Sequence, residues 1–528
     1  MPTGAHVIVS ALERAGVEVC FGLPGVHNLA LWEALRSSSI RLVGVRHEQA
    51  AAYAADGYAR ATGRLGVAPT TTGPGAANTL GAVGEAWAAR SPILVIATDI
   101  PSTLRRPGAY RGVLHETDGQ ADMFAPVVKA VHLAHTADAV GACAAAAVDD
   151  ALRAPTRPVY LEVSTDLLSA EAEDSDPPLR AARTAPDVQD AVARLDAAER
   201  PLLWVGGGAR DAGDAVARLA ERLGAPVLTT YGAAGILHPD HPCRVGLPPH
   251  VPAAGRLWDE ADVVLALGSD LDGVQTQNFT QPQPPQLIAV TLEPVVNYRV
   301  DVAIEGDAGT VAAALADRVR PRETTPDFSA LRAEACAALD PTALRFLDAV
   351  RFAVPDDVAL VVDMCIPGYW LAGFHAPGAP RRLQVPLGWG TLGYAFPAAL
   401  GAALGAGSAV SVSGDGGFLF ACGELATLAQ EQIPLTAVIV DDGGYGMLRY
   451  DQAKAGDEAY GVDLHTPDFE AMARSFGLRA ETVDGLDDAF GEALARHAAD
   501  PAPSVLVART PAPLVPPPNT SPNWYRRR

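Results

Sequence analysis

Two aspartates set among glycines are the residues of this chain best placed to do chemistry. Gly414-Asp415-Gly416-Gly417 follows a short apolar run, Ala409 to Val412, and Asp441-Asp442-Gly443-Gly444-Tyr445-Gly446-Met447 follows another, Leu435 to Val440. Asp415 and Asp442 are 27 positions apart, and the stretch between the runs, Phe418 to Gln432, reads as a helix. A strand, a glycine turn, a helix and a second strand put both aspartates at strand C-termini, where an open α/β sheet binds its ligands. Turn glycines let backbone N–H groups approach a diphosphate, and a helix N-terminus favours its negative charge. Two hard carboxylates beside phosphate oxygens suit Mg²⁺, which binds through one or two carboxylates plus phosphate. The same residues also fit an ordinary α/β turn with acidic strand ends, so the rest of the chain has to decide.

Three N-terminal segments add to the pattern. Phe21-Gly22-Leu23-Pro24-Gly25 ends a short strand, Glu18 to Phe21. Val43-Gly44-Val45-Arg46-His47-Glu48 passes from an apolar strand into a helix that continues through Ala55-Asp56-Gly57-Tyr58-Ala59-Arg60. Thr70-Thr71-Thr72-Gly73-Pro74-Gly75-Ala76-Ala77-Asn78 makes a second strand-to-helix turn. Glu48 falls in the first turn of its helix, where a lone carboxylate complements the helix dipole. A fourth segment, Leu387-Gly388-Trp389-Gly390-Thr391-Leu392-Gly393-Tyr394, lies just before the aspartates, and Asp363-Met364-Cys365 follows the strand Leu360 to Val362.

Together these segments resemble the family of acetolactate synthase, benzoylformate decarboxylase and benzaldehyde lyase, enzymes dependent on thiamine diphosphate. The resemblance runs from Ala5 to about Ala508. It implies that Asp415 and Asp442 hold Mg²⁺ through their side chains and Gly444 through its carbonyl. The family's Asn-Asn pair is here Asp441-Asp442, so Asp441 adds a charge the usual pattern lacks. Glu48 matches the glutamate that hydrogen-bonds N1′ of the cofactor's aminopyrimidine and promotes its 4′-imino tautomer. Pro24, Gly73 and Asn78 belong to the same pyrimidine-binding side. Leu392 matches the residue that wedges under the cofactor and enforces a V shape, a proximity effect, while the Gly390 carbonyl accepts from the 4′-amino group. Gly414, Gly416, Gly417, Tyr445, Gly446 and Met447 complete the cofactor-binding set, and Asp363 matches a contact to the diphosphate from its other side. Tyr445, Met447 and Leu448 are expected to line the substrate pocket.

The implied reaction begins with addition to a 2-oxo acid and loss of CO₂ through a C2 carbanion/enamine. Protonation then yields an aldehyde, attack on a second 2-oxo acid an acetohydroxy acid, and attack on an aldehyde an acyloin. Two histidines suit the proton transfers. His27 stands where benzaldehyde lyase and guanidino-oxo-acid decarboxylase relatives carry histidine. His115 stands where acetolactate synthases carry Gln and pyruvate decarboxylases carry His. Benzoylformate decarboxylase has a further histidine before the Gly73 turn; this chain has Thr71 there. His115-Glu116 with Asp118 and Gln120 is similar to the decarboxylase of 5-guanidino-2-oxopentanoate, and Lys129 falls near a family lysine at the substrate entrance. A 2-oxo acid decarboxylase and an acetolactate-synthase-like carboligase both remain open. The alternatives are an FAD-containing oxidase of the pyruvate oxidase kind and a catalytically silent cofactor-binding subunit.

Composition sets outer bounds. At 528 residues, nearly half of them hydrophobic, the chain supports about three domains of roughly 150 residues each. A net charge of −22 argues against nucleic acid or an anionic membrane as partner. Cys20, Cys143, Cys243, Cys336, Cys365 and Cys422 form no C-x-x-C pair, which suits free thiols in a reducing cytoplasm. No basic region followed by an apolar run opens the chain, so no leader is expected. No apolar stretch nears the 18 residues that would suggest a membrane span.

Polar, Pro-containing segments at Ala170 to Asp187 and roughly Arg320 to Pro341 read as linkers. They divide the chain into a pyrimidine-binding domain (1–172), a Rossmann-like middle domain (186–320) and a diphosphate-binding domain with a Pro-rich tail (341–528). Each alternates Val/Leu/Ile runs with Ala-rich amphipathic stretches, the pattern of α/β units with a central, mainly parallel sheet flanked by helices. In the middle part, Gly206-Gly207-Gly208 precedes a helix from Ala212 to Leu223 with Gly224 as its cap. Some relatives bind FAD in this domain and others bind nothing, so FAD is the lesser expectation. Thr466-Pro467 is expected to open a helix that Gly477 ends. The aromatic pair Trp524-Tyr525 suggests a tail that packs, with a lid over the active site as one role. The family places each cofactor between the Glu48 domain of one subunit and the Asp415 domain of another, which implies a homodimer at least and commonly a homotetramer.

Overall fold

A computed structural model of the chain describes residues 1–106, 108–178, 186–323, 326–510 and 513–518. Parts of both linkers (179–185, 324–325) and most of the tail, including Trp524-Tyr525, lie outside the described residues. Most of the apolar runs form strands buried on both faces, as a parallel sheet covered by helices requires. The N-terminal part contains β1 (Val19–Gly22), β2 (Arg41–Gly44), β3 (Gly66–Thr70), β4 (Ile93–Asp99), β5 (Ala130–Ala134) and β6 (Val159–Ser164). β1 pairs with β2, and the other four follow the order β3-β4-β6-β5. The middle part contains β7 (Pro201–Val205), β8 (Val227–Thr229), β9 (Val263–Leu267), β10 (Gln286–Thr291) and β11 (Val302–Glu305), in the order β11-β10-β9-β7-β8. The C-terminal part contains β12 (Ala359–Val362), β13 (Leu383–Gln384), β14 (Ala409–Gly414), β15 (Leu435–Asp441), β16 (Arg479–Asp484) and β17 (Ser504–Arg509), in the order β13-β12-β14-β15-β17-β16. Every ladder between these strands is parallel.

The N- and C-terminal parts share one hydrophobic core. Its centre is the helix Glu48–Thr62 laid on the helix Ala395–Ala406, backbone to backbone. A Cβ on Gly57 would lie 1.9 Å from the Ala398 carbonyl oxygen, and one on Gly401 would lie 1.8 Å from that of Ala54. Alanines at 50–52, 54, 55, 398, 399, 402 and 403 keep the two helices equally close. Gly401→Ala is therefore expected to destabilise the protein by about 1–3 kcal/mol, the usual cost of overpacking a filled core. Thermal unfolding measures this, and an unchanged melting temperature would show that the helices can part freely.

Two local readings change. The stretch 418–432 is not one helix: a turn of helix at Asp415–Phe418 and a 3-10 turn at Cys422–Glu424 precede the helix Leu425–Glu431. The break turns the Glu424 carboxylate inward, where it accepts from the Arg46 and His47 N–H groups and from the Thr427 hydroxyl. The helix expected from Thr466 begins at Phe469, because the Asp468 carboxylate accepts from Ala471 N–H; Asp caps better than Thr. In the middle sheet the helix spans Gly213–Leu223, and Gly224 caps it at φ 56°. The glycine turns after β7 and β9 close on each other, with Gly208 N–H donating to the Gly268 carbonyl at 2.9 Å.

Candidate functional site

The C-terminal ends of β12, β14 and β15 surround a cavity of about 210 Å³. Asp363, Gly390, Leu392, Gly414, Gly416, Gly417, Asp442, Gly444, Tyr445, Gly446, Met447 and Leu448 are among its lining residues. Asp415 falls between Gly414 and Gly416, fully buried, and neither of its carboxylate oxygens has a hydrogen-bond partner. Burial, reinforced by the charge of Asp442, pushes its carboxyl up to about 7. Burial also raises Asp442, against the pull of Arg449. Two crowded carboxylates without a cation are costly. Among the described residues no three His, Cys, Asp or Glu side chains gather as a metal-ligand set. Asp415 and Asp442 are hard oxygen donors of the kind that suit Mg²⁺ beside diphosphate oxygens.

Three glycines here leave no room for a side chain unless a neighbour moves. A Cβ on Gly416 would lie 2.7 Å from the Tyr445 ring, one on Gly446 2.1 Å from Asp442 Oδ2, and one on Gly444 2.1 Å from the Val462 carbonyl oxygen. The Gly444 carbonyl accepts from Gly446 N–H at 3.1 Å, which leaves it a second lone pair. Asp441, the extra acid, shapes the turn: its Oδ1 accepts from Gly443 N–H at 3.3 Å and its carbonyl from Thr510 N–H at 2.9 Å. Asp363 lines the cavity, yet its carboxylate is engaged by backbone, accepting from Met364 N–H at 2.8 Å and Gly393 N–H at 3.1 Å. Burial lifts it to about 6.

A second cluster lies at the ends of β1, β2 and β3. Glu48 is 7% exposed, and Asn78 donates to its Oε2 at 3.0 Å. His47 caps the Glu48 helix by accepting from Gln49 N–H. The Pro24–Gly25 turn is tied by Asn28, which accepts from Gly25 N–H at 2.8 Å and donates to the Leu23 carbonyl at 3.2 Å. A Cβ on Gly25 would lie 2.6 Å from Thr71, so this turn and the Thr71–Asn78 turn touch. Gly73, at φ 65°, donates to Gln120 Oε1 and faces the His115 carbonyl. His27 and His115 meet edge to face with ring centroids 5.2 Å apart, and the Nδ1 atoms of both are buried without partners. Burial, then the neighbouring His115, holds His27 below its ordinary value. His115 sits at φ 66°, a strained conformation for a residue other than glycine.

The structure thus brings the expected residues into two groups, and the cavity wall contains none of Glu48, His27, His115, Pro24, Gly73 and Asn78. Large apolar side chains lie exposed beside both groups in the chain: Val26, Leu29 and Leu114 near the first, Trp389, Phe420 and Leu448 near the second. Lys129 does not offer a free ammonium at an entrance. It donates to the carbonyls of Asp150, Arg153 and Pro155, and burial lowers it to about 8. Leu514 of the tail lines the cavity, and the Val515 carbonyl accepts from Trp370 Nε1 at 2.9 Å. The sequence reading missed Tyr369 and Leu514 in the wall and Glu85 beneath the Gly390 loop; a carboxylate amid Leu80–Ala88 was the available signal for Glu85.

Comparisons with known proteins bear on both clusters. Residues 2–123 match the model for the N-terminal TPP binding domain of thiamine pyrophosphate enzymes, residues 188–315 the central domain, and residues 365–508 the C-terminal TPP binding domain. A protein described as a probable 2-ketoarginine decarboxylase, from Pseudomonas aeruginosa, is 37% identical over 508 residues, which cover 92% of this chain and 90% of that protein. The large subunit of acetolactate synthase isozyme 1 from Escherichia coli is 28% identical, covering 98% of this chain and 96% of the relative. The solved structure of the thiamine diphosphate-dependent 4-hydroxybenzoylformate decarboxylase of Rhodococcus jostii superposes with a TM-score of 0.82 at 26% identity, covering 96% of this chain and 99% of that one.

Proposed function

Because the chain belongs to the thiamine pyrophosphate (thiamine diphosphate) enzyme family, we propose that it is a Mg²⁺-dependent 2-oxo acid decarboxylase that releases an aldehyde. The observation that carries the choice is the His27–His115 pair, two imidazoles in contact with unpartnered Nδ1 atoms at the Gly73 turn. When bound, thiamine diphosphate supplies the thiazolium carbon that adds to the 2-oxo group and takes up the electron pair left by CO₂. The residues do the rest. Asn78 donates to Oε2 of Glu48, and the carboxyl would share a proton with the pyrimidine N1′ through its other oxygen. Asp415 and Asp442, with the Gly444 carbonyl, would hold Mg²⁺, and the glycine turns at 414–417 and 443–446 would receive the diphosphate. Leu392 and Gly390, both in the cavity wall, would hold the cofactor, Leu392 by its side chain and Gly390 by its carbonyl. His27, its ring in contact with that of His115 and its Nδ1 without a partner, is the group we assign to pass a proton to the product carbon.

The two residue groups are read as halves of a composite site. A second copy of the chain supplies the missing half to each, and the apolar side chains beside both groups are the surface it covers. A homodimer is the minimal unit, and a pair of such dimers the expected assembly. Six free cysteines suit a reducing cytoplasm. Among the described residues no helix is long and apolar enough to cross a membrane. The substrate is a small 2-oxo acid, with 2-ketoarginine the first to offer because a relative's description names it. A second reading, an acetolactate-synthase-like carboligase, draws on the near full-length match to the Escherichia coli subunit. It makes a second 2-oxo acid, or an aldehyde, the acceptor.

Purified protein with thiamine diphosphate and Mg²⁺ would be offered pyruvate, benzoylformate, branched-chain 2-oxo acids and 2-ketoarginine separately, with CO₂ and product masses followed. An aldehyde one carbon shorter than one of them is expected. Acetolactate or an acyloin as main product would overturn aldehyde release in favour of carboligation. No CO₂ from any of them would count against the proposal and favour the silent-subunit reading.

A further inference from the structure

The loop that presents Gly390 and Leu392 is gripped by the N-terminal part of its own chain. Glu85, in the helix Leu80–Ala88, is completely buried. Its Oε1 accepts from Leu387 N–H at 2.5 Å and from the Arg60 guanidinium at 3.1 Å, and its Oε2 accepts from Gly390 N–H at 3.1 Å. Arg60, also buried, donates to Asp56 at 3.0 Å and to the Val385 carbonyl at 2.7 Å. One position before Glu85, Gly84 makes room for the loop's indole: a Cβ there would sit 2.5 Å from the Trp389 ring. At the far end Asp363 accepts from Gly393 N–H. Between these ties, Gly388, Gly390 and Gly393 all have left-handed φ angles, 74°, 68° and 77°. Glycines impose little conformation of their own, so the shape of this loop comes from the groups that hold its N–H donors.

We propose that Glu85 is a positioning residue: by accepting the Leu387 and Gly390 N–H groups on one buried carboxylate, it sets the direction of the Gly390 carbonyl and the depth of Leu392 in the cavity, and so the alignment of the cofactor more than its affinity. This rests on the roles proposed above for Gly390 and Leu392. Glutamine at 85 keeps the volume but offers one acceptor oxygen where two are used, and its NH₂ meets an N–H group. A buried donor then goes unsatisfied and the loop moves to relieve it.

Glu85→Gln and Gly84→Ala, each in the full chain, test this with three readouts: amide hydrogen exchange across 385–394 without cofactor, the Kd for thiamine diphosphate, and the rate of C2 proton exchange on the bound cofactor. In Glu85→Gln, exchange across 385–394 is expected to quicken while Kd stays nearly constant. C2 proton exchange and kcat should fall by about 10- to 100-fold, the scale of a small misplacement of a reacting group, with KM for the 2-oxo acid little changed. Gly84→Ala leaves the buried ions in place and presses first on the half-exposed Trp389 of the same loop, so it gives the same split even if Glu85→Gln does not fold. Wild-type loop exchange and C2 exchange in the variant that folds would overturn the proposal, as would a loss confined to Kd. A loosened loop in a protein whose wild type binds no thiamine diphosphate would uphold the grip and refute the function assigned to the loop instead.

Discussion

Glu48→Gln is expected to lower kcat by about 10²- to 10⁴-fold, the range lost with a positioned acid–base group, while thiamine diphosphate stays bound. The substitution keeps the shape of the side chain and an oxygen that can accept from Asn78, the partner seen at 3.0 Å. What it removes is a carboxyl that can share a proton with a ring nitrogen. Steady-state kinetics on the accepted 2-oxo acid, together with cofactor titration followed by fluorescence, separates the two effects. A variant that turns over at the wild-type rate would mean that Glu48, although buried beside the Asn78 turn, plays no part in activating the cofactor. A variant that loses the cofactor would assign Glu48 to binding.

Asp415→Asn should act in the opposite way, on binding first. A group that only supports a metal ligand is typically worth 10–100-fold in affinity, so loss of a direct ligand is expected to raise the Kd for thiamine diphosphate with Mg²⁺ by on the order of 100-fold or more. The cofactor-free protein should meanwhile gain stability at neutral and higher pH. Burial pushes Asp415 up to about 7, whereas in the unfolded chain an aspartate titrates at about 3.9. Between those values the folded state binds more protons than the unfolded state, so stability falls as pH rises from about 4 to about 7. Asparagine removes that contribution. Asp442 and Asp363, both also raised by burial, keep part of the slope. Thermal melts of the cofactor-free proteins at pH 5 and pH 8 should show the wild type losing more than the variant. Equal losses would mean that Asp415 is not held in its raised state.

The three-part α/β organisation was legible because parallel strands buried on both faces leave continuous apolar runs, and Val263 to Leu267 appears in the structure with the same ends. Asp415 and Asp442 were legible as neighbours because strand ends separated by one crossover come together in a parallel sheet. Side chains that reach across the fold were not legible. Glu424 breaks its helix to accept N–H groups 377 and 378 positions away, and Glu85 holds Leu387 and Gly390 at separations of 302 and 305; no local pattern records such partners. Lys129 failed for a related reason, since a lysine's alignment with a family position does not say that three carbonyls of its own domain will consume it. At the helix expected from Thr466, two capping residues on either side of Pro467 competed and the stronger cap, Asp468, won.

The most direct test of a composite site is complementation between the two damaged proteins. Glu48→Gln and Asp415→Asn subunits would be co-expressed with different tags and the mixed dimer isolated, after which CO₂ release from the accepted 2-oxo acid would be measured. In a two-fold dimer whose sites each join the Glu48 half of one chain to the Asp415 half of the other, one site of the mixed dimer is intact and the other carries both substitutions. The account predicts recovery of about half the wild-type rate, far above either variant alone. A mixed dimer that binds thiamine diphosphate yet stays as inactive as its parents would contradict it, because Glu48 and Asp415 would then have to serve the same site from the same chain.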